Sequence, residues 1–410
     1  MKKLQEIITS ALENCYVRDG WPVYDSCSTH ITSLYKEVLK VKSEWLDESD
    51  IYRIFLGQLV SKLYHKYQDH QELHGQIKQL LTPSDIADIS HSTIDYIESI
   101  PRNYEVYLPL PSVVNIKFDS LEICKGVWVK SYKNSEDIPG GYETGLLGLL
   151  QPELDVDKVY LVIRSKGYTS GTTESSSTRN AITNFKMLLH SALTNHLFEL
   201  DNSVLDTIDF VDTIAHKKIP KINLTSVDVD AEHEHTIKTE MPLNLSIFLH
   251  QIKLNEKVNG HDGMLQKLDE ENLIEVFMKI LEKAANLVNA KDPDFAYLKA
   301  AAEWSINSKS EQNLTLSFIQ NCIGLESVLG DGLGDSSITL ALADRCAYII
   351  GTNTKNRKML RSNFKKLYQL RSKIVHGKVS RLTLDQSNQH YWGQKLLDII
   401  IKKEIDNLQL

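Results

Sequence analysis

Apolar residues recur every three or four positions through most of the first hundred residues, the spacing that places side chains on one face of a helix. The stretches with this spacing lie near 3–15, 30–46, 50–67 and 83–100. From about residue 103 the chain changes to segments rich in Val, Ile and Tyr, punctuated by Pro and Gly. We therefore predict that 1–100 is mainly helical and that 103–262 is rich in strands, with one helix near 179–198 and short strands over 204–262.

Beyond residue 261 the helical spacing returns and continues to the end of the chain. The predicted helices lie near 264–288, 294–306, 311–329, 336–350, 358–376 and 386–408. We therefore predict an α+β region at 1–262 and an all-α domain, a helical bundle, at 263–410.

Composition indicates the class of protein. Of the 410 residues, 42% are apolar and 24% are charged, as is usual for a soluble globular chain. No apolar run approaches the roughly 18 residues of a membrane span, and the first twenty residues are too polar for a secretory signal. We expect a cytoplasmic protein that does not contact a membrane. The five cysteines are scattered singly, which predicts no disulfide framework, and Cys322 and Cys346 lie among apolar residues as core thiols do.

Three segments are weak candidates for binding sites. The Ser, Thr and Gly segment at 168–178 lacks the Gly-Lys-Ser/Thr ending of a phosphate-binding loop, so we predict a flexible loop. The glycines at 330–335 join two predicted helices and follow no strand, which favours a turn over a dinucleotide site. His233, Glu234 and His235 lack the i, i+4 spacing of a helical zinc site, so we predict a solvated loop, with no metal and no cofactor.

Basic residues are concentrated in one segment of an otherwise acidic chain. The chain has a net charge of −8, but 345–384 contains 11 of its 46 Lys and Arg residues and no Asp or Glu. Such a segment is typical of a surface that binds a polyanion. A solvated helix face that happens to lack acids is the alternative.

Within this segment an arginine lies on a predicted apolar face. Projected on a helix at roughly 100° per residue, Arg371 falls inside an apolar stripe about 120° wide. The stripe consists of Phe364, Leu367, Tyr368, Ile374 and Val375. Burying a guanidinium costs several kcal/mol, on the order of the penalty for an unpaired charge, unless an acceptor meets it. His376 follows five residues later, and Gly377 is placed where a left-handed residue ends a helix, which puts the imidazole in the last turn.

Arg371 and His376 have the side-chain types that metal-free RNA cleavage requires. That reaction needs a base for the 2′-hydroxyl, an acid for the departing 5′-oxygen, and positive charge beside the phosphorane. Five helical positions separate the two side chains by roughly 140° in direction, so one chain does not form a complete site. A two-fold dimer would bring two such pairs around one groove. The alternative is that Arg371 pairs internally with Glu326 or Asp344 while His376 only caps its helix.

The sequence LRSKIVHGK at 370–378 resembles the R-x4-H signature of HEPN domains, specifically their Apea-like branch. The segments IQNCIGLESVLGDGLGDSS at 319–337 and LALADRCAYIIG at 340–351 resemble the preceding helices of that branch. The resemblance covers about 295–405 and leaves the amino-terminal 260 residues out. It implies a helical domain that dimerises. Many members are metal-independent endoribonucleases that leave 2′,3′-cyclic phosphate and 5′-hydroxyl ends, often in toxin–antitoxin or anti-phage systems.

Carried over by position, the resemblance makes Arg371 and His376 the catalytic pair. Ser372 stands where many family nucleases have Asn, Asp or His, and its hydroxyl can orient a phosphate or the imidazole. Glu326 and Arg345 lie at supporting positions in the two preceding helices. We expect the cations that guide the RNA backbone to be Lys373, Lys378 and Arg361.

Arg371, His376 and the resemblance together lead us to expect a homodimeric endoribonuclease that acts on RNA, with tRNA among the candidate substrates; the resemblance implies a role in bacterial anti-phage defence or a toxin system. A separate antitoxin or a phage-derived trigger is an expected partner, and the region at 1–262 would select the substrate or sense the trigger. The first alternative is a non-catalytic RNA-binding or protein-binding module. The second is an interaction protein in which Arg371 forms a salt bridge at a dimer interface.

Overall fold

The computed structural model divides the chain into two compact units, each built from several segments. The first unit contains Met1–Glu105, Ser165–Asn180 and Ser226–Ile237, and the second contains Val106–Arg164, Ala181–Thr225 and Lys238–Leu410. The structure describes residues 2–67, 72–114, 116–140, 158–201, 221–232, 235–259, 265–268, 272–290, 295–330 and 338–408. The boundary that we predict near residue 262 lies outside the described residues.

Helices form most of the first unit, as the apolar spacing predicts. They are α1 (Lys2–Asn14), α2 (Tyr24–Lys42), α3 (Glu48–Lys66), α4 (Ile77–Leu80) and α5 (Pro83–Ser99). Asp47 caps α3 and Thr82 caps α5, each in a capping box with the residue three positions later. A small antiparallel sheet accompanies them, with the order β2-β1-β3; its strands are β1 (Tyr16–Arg18), β2 (Trp21–Val23) and β3 (Gly75–Gln76). The chain is thus α+β, but its first strands come earlier than the sequence predicts.

A six-stranded sheet has the order β10-β9-β4-β7-β6-β5. Its strands are β4 (Arg102–Pro109), β5 (Ser120–Cys124), β6 (Val127–Tyr132), β7 (Lys158–Gly167), β9 (Asn223–Asp228) and β10 (His235–Glu240). Strand β6 pairs antiparallel with both β5 and β7. In β6 the buried side chains of Val127 and Val129 alternate with more exposed ones, as period-2 strands require, whereas β7 is buried without a break from Leu161 to Ile163. Helix α6 (Ser176–Thr194) follows β7, close to its predicted range.

The prediction of short strands over 204–262 is wrong at Leu243–Gln251, which forms helix α7. Most of its side chains, including Leu245, Phe248 and Leu249, are buried. A short helix that is buried on most sides shows no apolar stripe with a 3.6-residue period. Its sequence pattern therefore resembles that of a buried strand. Short strands do occur on either side of it, at β8 (Phe198–Leu200), β11 (Ile252–Leu254), β12 (Lys257–Asn259) and β13 (Leu265–Lys267).

The described residues from Leu273 onward are all helical apart from their connections, as the sequence predicts. The helices are α8 (Leu273–Asn289), α9 (Ala296–Ser310), α10 (Leu314–Leu329), α11 (Ile338–Ile350), α12 (Thr354–Val375) and α13 (Leu384–Asn407). The predicted start at 264 is wrong because β13 pairs with β12 there. Helix α12 begins four residues before its predicted start, where the Asn353 side chain accepts a hydrogen bond from the Asn356 backbone N–H.

The core of these helices brings α10, α12 and α13 together. Phe318 and Leu325 of α10, Phe364 of α12, and Leu397 and Ile400 of α13 are fully buried in one cluster. This packing fixes how α10 and α12, which carry the candidate site, lie beside each other. Within the described part of the chain, no helix combines the length and apolarity needed to cross a bilayer.

Candidate functional site

The carboxyl-terminal end of α12 is fixed by its backbone. Gly377 has a φ of 69°, the left-handed conformation that its position predicts. The Lys378 N–H donates to the Lys373 carbonyl at 2.8 Å and the Gly377 N–H donates to the Ile374 carbonyl at 2.9 Å, which together form a Schellman motif. His376 is the C-cap residue, and it is exposed. The imidazole therefore lies where the helix dipole favours a positive charge.

The apolar stripe of α12 extends beyond the core that covers it. Phe364, Leu367 and Tyr368 are buried as predicted, but Val375 is 54% exposed, which corrects its predicted burial. The Arg371 side chain lies between these positions and is 36% exposed. Residues 371 and 375 are i and i+4 on one face, so the stripe reaches solvent in the last turn of the helix. Arg371 and Val375 therefore form a partly exposed edge of the helical core.

Glu326 of α10 meets the Arg371 guanidinium. The distance from Arg371 Nη2 to Glu326 Oε1 is 3.4 Å, and the Glu326 side chain is 34% exposed. Of the two internal partners considered from the sequence, the structure thus selects Glu326. Asp344 pairs with Arg361 instead, with 2.6 Å between Arg361 Nε and Asp344 Oδ1. Ion pairs this open to water contribute about 0.2–1 kcal/mol, so a phosphate could displace either carboxylate.

Tyr368 lies beneath the ion pair. Its ring stacks on Phe364 with the centroids 4.8 Å apart. Burial, then the nearby Glu326 carboxylate, raises the pKa of the Tyr368 hydroxyl far above its usual range, so this hydroxyl stays neutral. Tyr368 was expected only as a core residue. Its i, i+3 spacing from Arg371 indicates a shared face, but the sequence does not show that Glu326 lies on the same side.

The thiols near this site are inert. Cys322 is buried one turn before Glu326 on α10, and burial strongly raises its pKa. Burial likewise raises the pKa of Cys346 to about 12. The prediction that both are core thiols is confirmed.

Arg345 acts on the backbone of the helix that carries Glu326. Its Nη1 donates a hydrogen bond to the Leu329 carbonyl at 2.8 Å, at the carboxyl-terminal end of α10. A cation at that position meets both the unpaired carbonyl and the negative end of the helix dipole. The predicted supporting position thus has a physical basis, through the end of α10.

The other predicted residues lie on the exposed surface of α12 and just beyond it. Ser372, Lys373, Lys378 and Arg361 are exposed. The structure therefore brings Arg371 together with Glu326 and places the exposed His376 at the helix end.

The weaker candidate sites have different outcomes. The segment at 168–178 was expected to be a flexible loop, but its last three residues form the first turn of α6. Five of its hydroxyl side chains, at Thr169, Ser175, Ser176, Ser177 and Thr178, are buried. Thr169, Ser175 and Thr178 are hydrogen bonded to one another, with 3.0 Å between Thr169 Oγ1 and Thr178 Oγ1. His233, Glu234 and most of the glycine turn at 330–335 lie outside the described residues. No group of His, Cys, Asp or Glu side chains in the described ranges has the arrangement of a metal site.

A comparison of the chain with known protein families, curated proteins and solved structures finds no match. The site geometry and the sequence therefore carry the functional argument.

Proposed function

We propose that the chain is a metal-independent endoribonuclease of HEPN type that cleaves RNA at a site formed by two copies. One observation supports this proposal most directly: Arg371 lies on the core-facing stripe of α12 yet remains 36% exposed and is only weakly held by Glu326. An arginine that recognises a phosphate has to be both positioned and accessible.

In the proposed reaction, His376 of one copy acts as the base and removes the proton of a 2′-hydroxyl. The 2′-oxygen then attacks the adjacent phosphorus, and the bond from phosphorus to the 5′-oxygen breaks. The imidazolium of the second copy donates a proton to that leaving oxygen. The products are a 2′,3′-cyclic phosphate and a 5′-hydroxyl. Two Arg371 guanidinium groups stabilise the charge of the phosphorane, and no other reactant is required.

The residues around Arg371 and His376 are suited to binding an RNA backbone. Lys373 and Lys378 are exposed on either side of His376, and Ser372 is exposed beside Arg371. These groups would hold the phosphates next to the one that is cut. Val375, exposed one turn after Arg371, offers an apolar contact to the second copy. We place the protein in the cytoplasm, in anti-phage defence or a toxin system, with an antitoxin or a phage-derived trigger as its regulator.

The test is cleavage of total RNA and purified tRNA, with the new ends mapped chemically. His376→Ala and Arg371→Ala should each lower the rate at least about 100-fold, since general acid–base and charge stabilisation each contribute that much. EDTA should have no effect, and the rate should show a limb between about pH 5 and 8, where imidazoles titrate.

Matched controls exist in the first unit. His65 is also exposed in the last turn of a helix, α3, so His65→Ala should cleave like the parent. Arg53 is paired with Asp50 at 3.9 Å and is 44% exposed, which makes Arg53→Ala the control for Arg371→Ala. Equal cleavage by His376→Ala and the parent, or activity that vanishes with EDTA and returns with magnesium, would contradict the proposal.

A second candidate function is RNA binding without cleavage, favoured by the 11 cations at 345–384. Both functions predict binding that weakens as salt rises. New 5′-hydroxyl ends occur only with the nuclease, so end mapping separates the two.

A further inference from the structure

One face of the six-stranded sheet combines aromatic and basic side chains. Along β6, the half-buried Trp128, Lys130 and Tyr132 alternate with the buried Val127 and Val129. Because successive strand residues point to opposite faces, the first three share the face opposite Val127 and Val129. Val162 of β7, opposite Trp128, is a fully buried residue on the same face. The sequence VWVKSY contains this alternation, but it does not show which neighbouring strands extend the surface.

Strand pairing extends this face onto β7 and β4. In the antiparallel register of β6 and β7, Lys130 lies opposite Tyr160 and Tyr132 lies opposite Lys158. The Tyr160 ring makes edge contacts with Tyr132, at 5.8 Å between centroids, and with Tyr107 of β4, at 6.2 Å. Residues opposite each other in a sheet share a face, so aromatic rings span three adjacent strands.

Cations lie directly over these rings. The Lys130 ammonium is 5.1 Å from the centroid of Tyr107 and 5.6 Å from that of Trp128. It also donates a hydrogen bond to the Tyr107 hydroxyl at 3.2 Å. The Arg164 guanidinium is 5.4 Å from the centroid of Trp128. The cation–π contacts hold both charges against the sheet, and Arg164 remains exposed. Glu122, opposite Trp128 on β5, is an acid on the same face.

We infer that this face, defined by Tyr107, Trp128, Lys130, Tyr132, Lys158, Tyr160 and Arg164, binds single-stranded RNA. The half-buried rings of Trp128, Tyr132 and Tyr160 suit stacking with unpaired bases, and the interleaved Lys and Arg suit the phosphates between them. Tyr107 is only 5% exposed, so it holds Lys130 in place rather than contacting a base. This inference takes its choice of RNA from the proposed function and gives the strand-rich region the role of substrate binding.

The size and charge of the face agree with this ligand. Trp128 and Tyr132 lie four residues apart on one strand, which separates them by about 13 Å, enough for a run of two or three bases. Burial, then the neighbouring Tyr132, raises the pKa of Tyr160 to about 12. The Tyr160 hydroxyl is therefore neutral at physiological pH and does not repel a phosphate.

The test measures binding by the full chain carrying His376→Ala, so that RNA stays intact. The probes are fluorescein-labelled 12-nucleotide oligo(U), the same length of oligo(dT), and a 12-base-pair RNA duplex, followed by anisotropy. Adding Trp128→Ala should weaken oligo(U) binding about 5- to 150-fold, the effect of losing one stacked base. Oligo(dT) should bind through the same rings and show the same sensitivity, whereas the duplex should bind weakly and respond little.

A matched control and two milder variants keep the result interpretable. Trp21 of β2 is 58% exposed, so Trp21→Ala removes an exposed indole elsewhere and should leave binding unchanged. Trp128→Phe keeps a ring and should retain most of the affinity. Lys130→Gln should lower the slope of log affinity against log salt by about 0.7, the value for one phosphate contact on a single strand. Thermal unfolding of each variant shows whether the fold is retained.

Three results would overturn the inference: equal binding by Trp128→Ala and Trp21→Ala, preference for the duplex, or no binding of RNA at low salt. The last would point to a protein partner for this face. The same experiments distinguish a failure of this inference from a failure of the proposed function. Cleavage that occurs with unchanged binding in Trp128→Ala refutes only the sheet face, whereas Trp128-dependent binding without cleavage by the parent refutes only the nuclease.

Discussion

The weakness of the Arg371–Glu326 pair makes a quantitative prediction for Glu326→Gln. This change removes the charge while keeping the shape of the side chain. With 3.4 Å between the charged groups and about a third of each side chain exposed, the pair should contribute about 0.2–1 kcal/mol. The free energy of unfolding should fall by no more than that. RNA affinity should rise by about 1.4- to 5-fold, because Arg371 no longer has to leave a carboxylate to meet a phosphate.

Two measurements test this prediction separately. Urea denaturation followed by circular dichroism gives the stability change, which depends only on the geometry of the pair. Anisotropy with labelled RNA, in the His376→Ala background, gives the affinity change. Asp344→Asn is the control, since it releases Arg361 from a pair whose side chains are 49% and 58% exposed. It should change the stability still less.

Two outcomes would refute the reasoning. A loss of more than about 3 kcal/mol in Glu326→Gln is the signature of a buried pair that leaves a charge uncompensated. A fall in RNA affinity would show that Glu326 holds Arg371 in its binding position rather than competing with the phosphate.

Two further predictions concern the fold. Burial lowers the pKa of His390 to about 4, so the folded state excludes a proton that the unfolded state binds below about pH 6.5. Stability should therefore fall between pH 6.5 and 4.5, and urea denaturation should show that His390→Gln removes about 2–3 kcal/mol of this fall. At Gly377, with φ at 69°, Ala should cost about 1–2 kcal/mol. The control Gly57→Ala, mid-helix in open space, should instead stabilise by about 0.5–1 kcal/mol. Equal changes in the thermal unfolding temperature for Gly377→Ala and Gly57→Ala would contradict the prediction for Gly377.

Local rules predicted the features that depend on a few neighbouring residues. The stop at Gly377 follows from one residue type placed after a periodic run, and the helices of the carboxyl-terminal region follow from spacing alone. Spacing also placed Arg371 on the stripe with Phe364. It did not show that Val375 is exposed, because a period gives the direction of a side chain and not where the neighbouring helices end.

Contacts between residues far apart in the chain could not be predicted from the sequence. Charge left Glu326 and Asp344 as equal partners for Arg371, and only the packing of α10 against α12 distinguishes them. The aromatic face is similar, since the alternation in β6 is visible in the sequence but the register that brings Tyr160 beside Tyr132 is not. At Leu243–Gln251 the local pattern itself was ambiguous.

The Schellman motif at the end of α12 has a consequence for how the protein could diversify. The backbone at His376 is held by hydrogen bonds that the N–H groups of Gly377 and Lys378 donate to the carbonyls of Ile374 and Lys373. Substitutions of surface side chains nearby would leave these backbone hydrogen bonds, and the position of the His376 Cα, unchanged. If His376 reacts as proposed, new RNA targets could therefore be acquired by altering surface cations, or the aromatic face of the sheet, without moving the backbone that carries the imidazole.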